Sequence, residues 1–138
     1  YRTGDLTRVL PGRCRCGWTH RRIDRIKGRA DDMLIINGVN IFPIQIEQTI
    51  MRVPGVGKNY LIEVHDEKHM DRLHVKVEVD REIFHGTLAE LTELKERLTD
   101  ELKMELVVTP LVSLSEPGSL PVSEGKAKRV MDLRTRDK

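Results

Sequence analysis

The run Met33–Phe42, MLIINGVNIF, places Asn37 and Gly38 between two apolar segments. Both central residues of a type I′ turn need positive φ, which asparagine and glycine tolerate better than other residues. The run therefore predicts a tight antiparallel β-hairpin, and few other sequence signals constrain a fold as strongly.

A helix is expected directly after the hairpin. Pro43 suits the first helical turn, where its missing N–H costs nothing. One helical face then carries apolar residues at i, i+4 and i+7, namely Ile46, Ile50 and Val53. Pro54 and Gly55 end the pattern.

The remaining chain shows two kinds of hydrophobic period. Alternation of period two predicts two strands, one at Tyr60, Ile62 and Val64 and the next at Leu73, Val75, Val77 and Val79. Steps of three and four predict an amphipathic helix through Leu88, Leu91, Leu94, Leu98 and Leu102. An apolar strand over 106–114 is interrupted by Pro110, which places it at an edge or a bulge. The basic stretch 123–137 is read as a short terminal helix.

This order predicts an α+β fold, in which a β-hairpin is followed by a small, about three-stranded sheet packed with helices. Residues 1–30, rich in glycine and arginine and without a helical period, are read as the edge of another domain. Residues 31–138 form the predicted domain. Because the chain opens on YRTGDL, it is interpreted as a piece of a longer protein.

Charge and composition restrict the classes of partner. The 24 basic and 22 acidic residues leave a net charge of +2, which is too small to attract nucleic acid or an anionic membrane strongly. No apolar run has the length of a membrane span. Cys14 and Cys16 are too close in sequence for an unstrained disulfide, so a reducing, cytoplasmic location is expected.

Lys126 follows a glycine in the run SEGKAKR, which raises the question of a phosphate loop. The Walker pattern fails, because six residues separate Gly118 from Gly125 and Ala127 stands where a hydroxyl residue is required. A mobile ammonium on a loop remains well suited to neutralise anionic oxygens in a transition state.

Three motifs occur in order: YRTGD at 1–5, GRADD at 28–32 running into Gly38 and PIQIE at 43–47, and the segment from Pro121 through GK at 125–126 to Arg129. This combination resembles the closing part of the acyl-adenylate-forming ligases. The wording DDMLIINGVNIFPIQIE, SEGKAKRV and CRCGWTHRRI is similar to the phenylacetate-CoA ligase branch.

The resemblance implies a C-terminal lid domain and a two-step reaction, in which a carboxylate attacks ATP to give an acyl-adenylate and CoA thiol then displaces AMP. Lys126 would be the catalytic lysine, and Asp5 and Arg29 would contact the ATP or AMP. Asp31 would be the hinge of the lid, and Gly38 would face CoA. ATP, Mg²⁺, CoA and an aryl acid are the implied ligands, and the oligomeric state is open, a homodimer included.

Some positions depart from the family pattern. Asn40 stands where many acyl-CoA synthetases carry an arginine, and Ile35 stands where luciferases carry a lysine. Gly4 stands where many phenylacetate ligases are expected to carry an arginine.

Cys14, Cys16 and His20 make a candidate zinc set that needs a fourth ligand, which the missing domain of the intact enzyme could supply. The other histidines, at 65, 69, 74 and 85, are interpreted as solvated surface residues.

Two rival functions stay open. One is an adenylation domain that transfers its acyl group to a carrier-protein thiol instead of CoA. The other is a non-enzymatic α+β domain that senses small molecules, although such a domain has no need to keep Asp5, Arg29 and Lys126 together.

Overall fold

The structure, a computed structural model, describes residues 2–121 and 129–134. The chain begins with two small antiparallel ladders. Strand β1 (Asp5–Leu6) pairs with β4 (Gly28–Arg29), and β2 (Val9–Leu10) pairs with β3 (Arg22–Ile23). No residue of 2–33 is buried, so this part has no core of its own. This contrast agrees with a domain boundary near residue 31, which stays a prediction.

The predicted hairpin and helix follow a short 3₁₀ turn at Ala30–Asp32. Strands β5 (Leu34–Ile36) and β6 (Val39–Ile41) pair around the turn, where Asn37 has φ 48° and Gly38 has φ 83°. Helix α1 (Pro43–Ile50) starts at Pro43 as expected.

The main sheet has four strands in the order β10, β7, β8, β9. Strands β7 (Val56–Glu67) and β8 (Met70–Val79) form its long antiparallel centre. Strand β9 (Leu111–Ser115) lies parallel to β8 at one edge, and β10 (Val130–Asp132) lies parallel to β7 at the other. The α+β class is confirmed.

Two local predictions are wrong. Residues 130–132 form a strand and not part of a helix, because their backbone pairs with the free edge of β7, and this raises the sheet from about three strands to four. The segment 106–114 is not one strand, because the preceding helix runs to Leu106 and ends at Val107, whose φ is 62°. Strand β9 starts after Pro110 and is an edge strand, as the proline requires.

Two more helices complete the fold, namely the short α2 (Arg81–Phe84) and the long α3 (Leu88–Leu106). The leucine stripe of α3 and the apolar face of α1 cover one face of the sheet. The core contains Ile46 and Ile50 from α1, Leu94, Leu98, Leu102 and Leu106 from α3, and Ile62, Val64, Leu73, Val75, Val77 and Val112 from the sheet. The opposite sheet face is therefore free for polar residues. Among the described residues, no helix is long and apolar enough to cross a membrane.

Candidate functional site

The segment around Gly28–Asp32 brings Asp5, Arg29 and Asp31 together. Asp5 and Arg29 lie directly opposite each other in the β1–β4 ladder. The Arg29 guanidinium donates two hydrogen bonds to the Asp31 carboxylate, at 3.0 and 2.8 Å. Within the described residues no group donates a hydrogen bond to the Asp5 carboxylate, which stays available as an acceptor beside a cation.

The Arg29–Asp31 pair has consequences for ionisation and for residue 4. The guanidinium hydrogen bonds lower the pKa of Asp31, and the same bonds raise the pKa of Arg29. Gly4 has φ 79°, and a Cβ there would lie 3.2 Å from Asp31 Oδ1. Glycine at this position thus leaves room for the pair.

Two adjoining clefts flank the Arg29–Asp31 pair. The larger, of about 670 Å³, is lined by Asp31 and Asp32 on one side and by Tyr60 and Arg129 on the other. The smaller, of about 380 Å³, contains Asp5 and Arg29. The clefts share Asp32, Pro43 and Glu47.

Lys126 lies outside the described residues, but the described residues on either side of this gap make defined contacts. On the N-terminal side, the Leu120 N–H donates to the buried Glu78 carboxylate at 2.9 Å. The second oxygen of that carboxylate accepts from Asn59 at 3.0 Å. A buried, fully bonded carboxylate is a firm anchor.

On the C-terminal side, Arg129 is held by three contacts. Its guanidinium donates to Glu47 at 3.0 Å and lies 4.7 Å from the centre of the Tyr60 ring, while its backbone oxygen accepts from the Ile62 N–H at 2.8 Å. Burial raises the pKa of the Tyr60 hydroxyl, so this ring stays neutral beneath the arginine. Arg129, three residues after Lys126 in the sequence, thus bonds to β7 and lines the larger cleft.

Gly38 lies in open space at the tip of the hairpin, since a Cβ there would meet no described atom within 4 Å. Its neighbour Asn37 exchanges hydrogen bonds with Asp71, near the start of β8, at 2.8 to 3.1 Å. Arg134 bonds to Asp132, to Asp71 and to the Ile35 carbonyl oxygen. These hydrogen bonds hold the hairpin tip on one side, while Gly38 faces open space on the other. The sequence motifs did not predict this arrangement.

Of the three candidate zinc ligands, only Cys14 and Cys16 lie close together. The sulfur atoms of Cys14 and Cys16 are 2.8 Å apart, and their hydrogen bond lowers the pKa of Cys14. Within the described residues, these cysteines and His20 do not form a group with ligand atoms close enough for one ion. Zinc at this position stays a prediction for the intact protein.

The interpretation of all other histidines as solvated surface residues needs correction at position 74. The side chain of His74 is only 18% exposed and its Nε2 lies 2.7 Å from Ser113 Oγ. Glu63 lies beside it, with a side chain 10% exposed. Period-two alternation could have shown that Glu63 and His65 share a sheet face with His74, but it does not reveal how deeply they are buried.

The AMP-binding enzyme C-terminal domain family matches residues 38–134. The phenylacetate-coenzyme A ligase of Escherichia coli K12 is 45% identical over 134 residues, which cover 97% of this chain and 30% of that protein. The chain thus spans about 30% of the length of such curated relatives.

Comparison with solved structures also finds CoA ligases. A domain of phenylacetate-coenzyme A ligase from Bacteroides vulgatus is 41% identical, with a TM-score of 0.68, and the match covers 75% of this chain and 94% of that one. A 2-hydroxyisobutyryl-CoA ligase in the postadenylation state is 32% identical, with a TM-score of 0.83 over 94% of this chain and 28% of that one. The same ligase in the thioesterification state gives 0.73 over 96% and 28%. The chain belongs to the AMP-binding enzyme C-terminal domain family.

Proposed function

We propose that this chain is the lid domain of an AMP-forming aryl-acid CoA ligase that acts on phenylacetate. In the first step, a carboxylate oxygen attacks the α-phosphorus of ATP and pyrophosphate leaves. In the second step, the CoA sulfur attacks the acyl carbon and AMP leaves. The substrate assignment rests on relatives 40–45% identical over nearly the whole chain.

One observation carries the proposal: the hinge and the anchored end of the Lys126 loop line the same cleft. A lysine carried on such a loop can enter the active site when the lid rotates about Asp31 and can leave it afterwards. Its charge would offset the repulsion between the carboxylate and the α-phosphate as they approach.

The nucleotide would lie beside the smaller cleft. The unbonded Asp5 carboxylate fits a ribose diol, because one carboxylate can accept two hydrogen bonds. Arg29 fits the anionic nucleotide, and Mg²⁺ would be held mostly by phosphates and water. CoA would approach the hairpin tip, where Gly38 presents open backbone. A cytoplasmic location and a homodimer stay predictions.

ATP–pyrophosphate exchange on the full-length protein tests the proposal across a panel of aryl acids. We expect exchange with phenylacetate and its strong loss in Lys126→Ala. Lys128→Ala removes the same charge two residues along the chain and should leave exchange near the native level. Equal exchange in the two variants would remove Lys126 from the adenylation step.

A further inference from the structure

Three side chains with metal-binding atoms meet on the sheet face that the helices leave uncovered. Glu63 and His65 are two residues apart in β7 and point to the same face. His74 is the direct partner of Glu63 in β8. His65 Nε2 lies 3.0 Å and His74 Nδ1 lies 3.7 Å from Glu63 Oε2, and one ligand atom from each residue lies within 4.8 Å of the others.

The outer contacts of this group orient it. Ser113 Oγ, on β9, lies 2.7 Å from His74 Nε2, so the other ring nitrogen is turned toward Glu63. Histidines that bind metals commonly use their second nitrogen in such an outer hydrogen bond. Lys76 bonds to Glu63 Oε1 at 2.7 Å, which leaves Oε2 for the two histidines.

We propose that Glu63, His65 and His74 form a binding site for a divalent transition metal of the zinc class. Two imidazoles and one carboxylate suit Zn²⁺ and its neighbours, whereas Mg²⁺ and Ca²⁺ prefer all-oxygen surroundings. A cleft of about 620 Å³, lined by His65 and His74, gives solvent access and leaves room for a water as the fourth ligand. The ion would join β7 to β8 and is separate from the ligase chemistry.

Nearby charges affect how tightly the site would bind a metal ion. Lys76 opposes a bound cation through its ammonium, and Arg72 stands opposite His65 in the ladder. Asp66 and Glu67 line the same cleft and offset this repulsion. Removal of Lys76 is therefore expected to tighten metal binding.

Titration with Co²⁺, followed by visible absorption, tests the site in the full-length protein. Cys14 and Cys16 are first replaced by serine, so that thiolates do not compete. Zn²⁺ should displace the Co²⁺ signal. His65→Asn and His74→Asn should each remove it, and Ser113→Ala should weaken binding by about 10- to 100-fold. His69→Asn, in the β7–β8 turn, is the matched control and should bind as the parent does.

The same Co²⁺ affinity in the His65, His74 and His69 variants would overturn the proposal, as would no Co²⁺ binding by the parent. Circular dichroism checks that each variant is folded. If a histidine variant does not fold, Lys76→Met keeps all three ligands and supplies the decisive measurement. Tighter Co²⁺ binding in that variant supports the site, and unchanged or weaker binding contradicts it.

Discussion

At the scale of single residues, the Arg29–Asp31 pair fixes the local geometry around the proposed hinge. Both side chains are exposed, so water and salt screen the pair and its effect on global stability is small. The pair instead positions Arg29, because a bidentate contact holds the guanidinium in one orientation beside Asp5.

The pH dependence of this pair is predictable. The native pKa of Asp31 is below its ordinary value, so the contact contributes fully above the unfolded pKa near 4 and is lost as the pH falls through the native pKa. We expect Arg29→Met to move the Asp31 titration, followed by carboxyl NMR, upward. Arg29→Lys, which keeps the charge without the fork, should give an intermediate midpoint. An Asp31 midpoint that is the same in all three proteins would show that the contact does not form in solution.

Thr87 starts helix α3 with a reciprocal capping box. Its hydroxyl accepts from the Glu90 N–H, and the Glu90 carboxylate accepts from the Thr87 N–H. Thr87→Ala should lower the free energy of unfolding by about 1 kcal/mol, measured with urea. Thr99→Ala, in the middle of the same helix, is the control and should change it by less than about 0.5 kcal/mol. Equal effects at both positions would exclude a capping role.

At the scale of elements, Arg134 joins three parts of the chain. Its side chain is only 8% exposed, and it connects β10, the start of β8 and the backbone of β5. The hairpin tip with Gly38 is thereby held against the sheet, although hairpin and sheet share no ladder.

Arg134→Met should lower the free energy of unfolding by about 1–3 kcal/mol, because it removes the hydrogen bonds of a guanidinium that is largely shielded from water to two carboxylates and a carbonyl oxygen. Amide exchange at residues 35–38 should rise more than exchange in α3. Arg72→Met removes an exposed ion pair with Glu67 in the same region and serves as the control, with little expected change. Exchange that rises uniformly through the domain would argue against a local role.

The elements that could be predicted from sequence were those with strong local signals. The Asn37–Gly38 hairpin, helix α1 and the alternating strands β7 and β8 needed only period and turn chemistry. Strand β10 could not be predicted, because its three residues are a strand only through pairing with β7. The hydrogen bonds of Arg134 and of Glu78 could not be predicted for the same reason, since they join residues 42 to 99 positions apart.

Across the whole molecule, the proposed function requires a lid that pivots at Asp31. In the full-length protein, Asp31→Pro should restrict the pivot, and Asp31→Ala removes the Arg29 contact without doing so.

We expect Asp31→Pro to slow the thioester step well beyond Asp31→Ala while pyrophosphate exchange is retained. Separate assays of exchange and of thioester formation from preformed adenylate make this comparison. A loss of both steps in the same proportion would contradict the hinge assignment.

The central claim is that this domain delivers the Lys126 ammonium to an adenylate held by the rest of the protein. A crystal structure of the full-length protein with a non-hydrolysable phenylacetyl-adenylate analogue tests it most directly. We expect Lys126 Nζ to lie within hydrogen-bond distance of the analogue in the adenylation orientation, and the Asp5 carboxylate to accept hydrogen bonds from its ribose hydroxyls. A lysine distant from the analogue in every lid orientation would contradict it.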